Sequence, residues 1–436
     1  METRLLLIAG ITTIGMMASC ASDKGDSPNN SGEKTTVNLS FATGATTRMV
    51  PGSAITTNGN DPSQEEGKLN NLAIGLFDNG NNRVSAKSGS SETTDYTYSA
   101  GGAQITTTSS ATQVAVIANV PTVATTNLDI TKQATLSAFR SSYMGLLSNT
   151  TSADGKTNTA MNTVNSQDMT GLPMYGEKSI NWTSSNTTNN SVTVNLTRMV
   201  ARVCLTKLAT DFTNYSDKTA TFKPTEVFMY NVKDQLTNWQ TGTTTFSATE
   251  PTNGTNCLCE MTDKTTTTLD GTNFNVPYIS SLTNYAYLSS GNVIPGGWVK
   301  APASSSGSLT SYFDYTADAD PTKDANALSF YVFSNTDLTN PTKMIIKGLF
   351  TPTGGSASIV YYPIIINHAS GYNTVNGSNT PATGDSEISA NTIYDLEVTI
   401  AGRGVDEPYM PLEPSTATVN MTVTPWGKTT QVVNIQ

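Results

Sequence analysis

The sequence predicts a mainly β protein, built as two antiparallel β-sandwich domains with one short helix in the first. Three observations predict it. Short runs rich in β-branched and aromatic residues recur along the chain, separated by long polar segments. Thr, Ser, Asn and Gly dominate the remainder, and only 13% of the 436 residues are charged, a composition that suits pleated strands better than helices. A single stretch, residues 128–147, places apolar side chains at helical spacing.

Residues 1–20 carry the pattern of a bacterial export signal. Arg4 precedes an apolar stretch that is too short for a stable membrane span and ends in Met17-Ala18-Ser19-Cys20. Small residues before a cysteine resemble a lipobox, in which the Cys20 thiol takes a diacylglyceryl group. A plain secretory signal with an incidental cysteine is the alternative. Residues 21–34 are polar and read as a flexible tether. Val37-Asn38-Leu39-Ser40-Phe41 is then one isolated strand, with Val37, Leu39 and Phe41 on one face, and Arg48-Met49 follows in an open Gly/Thr stretch.

Residues 72–77 read as a strand, closed by the turn signal Asp78-Asn79-Gly80-Asn81-Asn82. Residues 113–119 read as a buried core strand. In the helix, Leu136, Phe139, Tyr143, Leu146 and Leu147 share a face, and Asn127 and Asp129 are candidate caps. Residues 191–196 alternate apolar and polar and run on through Arg198-Met199-Val200-Ala201-Arg202, a long strand joining the two domains. Further strands fall at 227–230, 329–333, 344–350 and 359–366. Two close the chain, at 417–423 and 431–435, with Pro425-Trp426-Gly427-Lys428 between them. Pro408, Pro411 and Pro414 hold the preceding connection extended. The domains are 49–196 and 197–412, with 413–436 as a tail.

The net charge of −10 excludes a basic nucleic-acid surface. His368 is the only histidine, which removes any multi-histidine metal site and argues against a histidine triad. It follows an apolar strand and reads as a packing or hydrogen-bonding residue. No G-x-S-x-G elbow is present. Gly155-Lys156-Thr157 ends like a phosphate loop, but Thr150 stands where its first glycine belongs. Asp314, Asp318, Asp320 and Asp324 lack the spacing of a calcium loop. Cys257 and Cys259 are too close for a disulfide, and Cys204 reads as a buried small hydrophobe. The reading is of a non-enzyme without cofactor.

Several segments together resemble the FimA-type fimbrillins, the major fimbrial subunits of Bacteroidales, and the related Mfa-type fimbrillins. Lipobox, tether, single strand and Arg48 come in that family's order. So do residues 72–77, 114–119, the helix, Gly171-Leu172-Pro173-Met174-Tyr175-Gly176-Glu177, Arg198-Met199-Val200-Ala201-Arg202, Tyr361-Tyr362-Pro363, residues 393–402 and residues 419–426. The resemblance implies transthyretin-like sandwiches, a lipidated outer-membrane precursor and cleavage between Arg48 and Met49 by an Arg-specific protease. It further implies loss of the 37–41 strand and head-to-tail polymerisation with other copies. Val419, Met421, Val423 and Trp426 of a neighbour then fill the vacated groove, the family's expected route to an adhesive fimbrium capped by accessory and anchor subunits. Two intramolecular strands are the alternative for the tail, a core role for Trp426, and an ordinary surface arginine for Arg48. An accessory or anchor fimbrillin is one competing function. A surface glycan-binding lipoprotein with Trp182, Trp239 and Trp298 as platforms is another.

Overall fold

The computed structural model describes residues 34–43, 69, 71–90, 103–119, 133–142, 144–145, 172–182, 190–233, 235–245, 268–269, 272–273, 309–314, 328–369, 373–378, 385–413 and 415–425. The strands among them are β1 (Lys34–Thr43), β2 (Asn71–Phe77), β3 (Arg83–Ser90), β4 (Ala103–Thr108), β5 (Gln113–Ala118), β6 (Met144–Gly145), β7 (Met174–Ser179), β8 (Asn190–Arg198), β9 (Val200–Asp211), β10 (Thr221–Tyr230) and β11 (Gln235–Asn238). They continue with β12 (Thr243–Thr245), β13 (Thr268–Leu269), β14 (Thr272–Asn273), β15 (Leu309–Asp314), β16 (Leu328–Phe333), β17 (Lys343–Thr351), β18 (Ser358–Ile365), β19 (Asn373–Val375), β20 (Thr392–Ile400) and β21 (Ala417–Pro425). One helix, α1 (Leu136–Arg140), lies between β5 and β6.

The chain is mainly β, with one short helix among the described residues and several sheets. A seven-stranded sheet runs β3-β2-β5-β7-β8-β1-β4. Its two end strands meet, Ser85 Oγ donating to Thr107 Oγ1 at 2.9 Å, so this sheet rolls over its own core of Val37, Leu39, Ile74, Leu76, Val114 and Val194. A second sheet runs β15-β9-β20-β21-β19, with β16 also on β9, and a third runs β10-β17-β18. The sequence pattern accounts for the local choices. In β8, Val192, Val194 and Leu196 are buried while Ser191, Thr193 and Asn195 are exposed, the period of two that fixes a strand's faces. β5 lies between β2 and β7 and buries Val114 to Ala118 without a break. The β2–β3 turn closes as its residues dictate. Asp78 Oδ1 accepts the Asn82 N–H at 2.8 Å, and Asn81 takes a positive φ of 63°, which asparagine tolerates.

Three expectations are corrected. The sheets are mixed, not antiparallel throughout: β1 runs parallel to β8, β9 to β20, and β19 to β21. Parallel neighbours need long crossovers, so period-two patterning cannot reveal them. Second, the helix is five residues long, from Leu136 to Arg140. Thr135 caps it instead of Asn127 or Asp129, its Oγ1 accepting from Ala138 N at 3.1 Å. Ser142 Oγ takes the Phe139 carbonyl at 2.8 Å, and the chain then enters β6 against β11. Residues 128–132, Tyr143, Leu146 and Leu147 lie outside the described residues. Third, β12 and β15 lie within residues 241–264 and 301–327, which the sequence reads as long polar connections.

The long strand at 191–205 is two strands. Met199 separates them, its N–H donating to Pro173 O at 2.8 Å, and there the chain passes from the first sheet to the second. Cys204 is buried in β9 and forms no disulfide.

Candidate functional site

β1 is an internal strand. It pairs antiparallel with β4, Val37 opposite Ile105, Asn38 opposite Gln104 and Leu39 opposite Ala103. On its other edge it runs parallel to β8, Asn38 level with Ser191, Leu39 with Val192 and Thr43 with Leu196. Val37 and Leu39 are 0% and 1% exposed, and Thr35 is buried beside them. Burying the two apolar side chains contributes about 1.5–3 kcal/mol each. The Phe41 backbone pairs with Val194, but its side chain lies outside the described residues. β7 packs closely here: a Cβ on Gly176 would sit 2.3 Å from Asn195 O, so only glycine fits. Cys20, Arg48 and Met49 lie outside the described residues.

The tail strand β21 is also internal. It pairs antiparallel with β20 along its whole length, Ala417 opposite Ile400 and Pro425 opposite Thr392, and parallel with β19 on its other edge. Val419 is 0% and Met421 1% exposed, and Val423 is half-buried against the same core. Asn367 N donates to Met421 Sδ at 3.0 Å, and Asn376 N donates to Met421 O at 2.8 Å. Within a single chain, then, Val419, Met421 and Val423 pack in their own sheet, the intramolecular arrangement. Trp426 and residues 431–435 lie outside the described residues.

A connector that the sequence reading missed joins the two halves. Trp239, read as a candidate platform, is 0% exposed. Its backbone N–H donates to Arg140 O and its indole N–H to Ser142 O, both at 2.8 Å, so it supplies the partners that the end of α1 lacks. Its ring lies 6.4 Å from that of Tyr175. Arg140 grips Glu177 with two bonds, 2.6 Å from Nε and 2.7 Å from Nη2, and Gln113 adds a third at 2.8 Å. Trp182 donates its indole N–H to Ala111 O at 2.6 Å and packs against the core. Trp298 lies outside the described residues. His368 Nδ1 lies 2.9 Å from Asp385 Oδ2 and 3.0 Å from Ser386 Oγ, a hydrogen-bonding role as expected.

Burial raises the Tyr175 phenol well above its ordinary value, and its hydrogen bond to Glu177 acts the same way. A raised pKa means the folded state keeps a proton that the unfolded chain loses. That stabilisation is complete below the ordinary phenol value of 10.0 and is lost as pH rises beyond it. Stability therefore falls above about pH 10. Tyr175→Phe should flatten that decline, as read by urea melts at increasing pH. An equal decline in the variant would remove Tyr175 as its source.

Residues 35–198 match the family described as major fimbrial subunit protein (FimA). No protein among curated sequences matches the chain. Among solved structures, the chain is similar to a candidate cell adhesion protein of Bacteroides eggerthii. The identity is 19% and the TM-score 0.53, over 91% of this chain and 98% of that one, which shows a shared fold. It is also similar to a fimbrilin (FimA) of Porphyromonas gingivalis W83, at 16% identity and a TM-score of 0.48 over 91% and 99%. The tip fimbrial protein Mfa3 of Porphyromonas gingivalis matches at 11% identity and a TM-score of 0.40, over 90% and 100%. The family match opens at β1 and closes at the end of β8, the strand beside it, so over residues 35–198 this chain is similar to the FimA-type fimbrial subunits.

Proposed function

We propose that the protein is a structural pilin of a cell-surface fimbria, polymerised by exchange of strands between copies. In this reading the chain is exported as a lipoprotein through Cys20. An Arg-specific protease cuts between Arg48 and Met49, and the lipid and β1 leave together. Residues 49–196 and 197–412 act as two transthyretin-like sandwich domains. The tail, 413–436, with Val419, Met421, Val423 and Trp426, fills the groove of the next copy. The subunit thus passes from the outer membrane into an extracellular fimbrium, where adhesion is the expected outcome and accessory and anchor subunits complete the filament.

The observation that carries this reading is the place of β1. It lies inside the seven-stranded sheet, bonded on both edges, yet no described strand joins it to β2, which begins at Asn71. Its removal leaves β4 and β8 with unpaired edges and an apolar groove between them, a template for another strand. Contacts passed head to tail without closure give a filament.

Limited trypsin digestion of the non-lipidated precursor tests it, followed by N-terminal sequencing and electron microscopy. A new N-terminus at Met49 with filaments is expected. Arg48→Ala should stay uncut at that site and monomeric. Cut protein that stays monomeric with its tail intact would overturn the reading. The burial of β21 in its own sheet favours a second reading, an anchor or accessory subunit that keeps β1 and does not donate.

A further inference from the structure

β1 meets its two neighbours over different stretches. It pairs with β4 along residues 34–39 and with β8 along residues 37–43. Only Val37, Asn38 and Leu39 are paired on both edges. At those three positions β4 and β8 stand level across β1: Ile105 with Asn190, Gln104 with Ser191, and Ala103 with Val192. β4 is antiparallel to β1, and β1 is parallel to β8. β4 and β8 are therefore antiparallel to each other, the direction of the slightly more stable ladder.

β4 is held unevenly. Among the described strands β1 is its only ladder partner, and toward β3 Thr107 accepts the Ser85 hydroxyl in place of a ladder. The C-terminal end of β4 is anchored. Thr108 O accepts the Ala111 N–H at 3.1 Å, the Thr108 and Ser110 hydroxyls bond at 2.6 Å, and Thr112 N donates to Phe77 O at 2.8 Å. The N-terminal end follows residues 91–102, a length of chain that far outreaches one strand spacing of about 4.8 Å. A strand anchored at Thr108 swings furthest at Ala103, and Ala103 is the end that stands level with β8.

We infer that β4 is a hinged flap: when β1 leaves, residues 103–105 swing by one strand spacing onto residues 190–192 of β8 and close that part of the groove within the subunit. This rests on the reading that β1 is removed, and it goes beyond that reading by giving the cut subunit a resting state before any other strand arrives. The swing keeps each side chain on its own face. Ile105, 3% exposed and opposite Val37, moves into the space that Val37 vacates. A sheet edge open to any passing chain is thereby partly covered. The flap does not reach past Val192. Residues 193–196, which paired with residues 40–43, stay open, so an incoming strand pairs there first and then lifts the flap from its free end.

The test is a Gln104→Cys and Ser191→Cys pair in the non-lipidated chain, with Cys20, Cys257 and Cys259 each replaced by Ser. In the uncut precursor β1 holds the two positions about 9–10 Å apart, two strand spacings, too far for a disulfide. The trypsin-cut product, freed of its N-terminal fragment and kept dilute, is expected to form the disulfide within one chain. It should then build no filaments until reduced. Hydrogen exchange on the parent chain, without the two cysteines, should show residues 190–192 still protected in the cut monomer and residues 193–196 unprotected. Exchange that is equally fast across residues 190–196, with no disulfide, would overturn the flap; filaments formed by that same protein would leave strand exchange standing. A disulfide that forms equally well in the uncut precursor would also overturn the flap, since closure would not depend on the loss of β1. A disulfide confined to the cut product, with no filaments after reduction, would keep the flap and overturn strand exchange.

Discussion

A chain beginning at Met49, kept dilute enough to remain monomeric, should melt roughly 10–20 °C below the precursor. The loss of Val37 and Leu39 from the core removes about 3–6 kcal/mol, and each kcal/mol lowers the melting temperature of a domain of this size by about 2–4 °C. The unpaired edges of β4 and β8 add to the loss. A synthetic peptide of residues 415–425, supplied in excess, should restore much of the difference by binding the folded state alone. The same peptide with Val419→Asp and Met421→Asp should not, because its charges would enter the groove unpaired. Circular dichroism melts with each peptide would decide it. An unchanged melting temperature on removing β1 would mean that the strand does not complete the core.

Replacing Trp239 should be the costliest single substitution in the joint between the halves. Trp239→Ala empties a fully buried ring site and leaves Ser142 O without its donor. Removing a buried Trp side chain costs about 3–5 kcal/mol, and an unsatisfied buried carbonyl costs about 1–3 kcal/mol more. Trp239→Phe should lose only part of this, because the ring contact with Tyr175 survives and the indole N–H alone is gone. The backbone bond to Arg140 O persists in both variants. Urea titration of the two variants against the parent separates these contributions. A Trp239→Ala protein as stable as the parent would show that the β6–β11 contact holds the halves without the indole.

Much of the strand framework was legible because it follows local rules. β8 announces itself by alternation, β5 by an unbroken apolar run, and the β2–β3 turn by Asp78 and Asn81. The family order was legible over residues 35–198 because those segments keep their spacing. What escaped depends on partners far away in sequence. Nothing near Asn38 shows that its parallel neighbour is Ser191. The helical spacing of residues 128–147 promised more than five residues, since it says nothing of the Ser142 hydroxyl or of β11 drawing Met144 into a strand. Trp239 looked like a loop tryptophan because its cage is built from residues far earlier in the chain, Arg140 and Ser142 nearly a hundred positions before it and Tyr175. The tail reading was legible as an apolar alternation but not as a location, because the same alternation suits its own sheet and a neighbour's groove.

The enclosure of β1 on both edges also governs how a joint made there breaks under load. A strand bonded along one edge and pulled sideways fails one hydrogen bond at a time, as a zipper does. A strand enclosed on both edges and pulled along its own length sets every ladder bond under shear at once. With β21 seated in that groove and running toward Met199, tension along a fibre would draw it lengthwise. The seam between copies would then be a lap joint loaded in shear, while Met199, where the chain changes sheets, is covalent backbone and carries the load through.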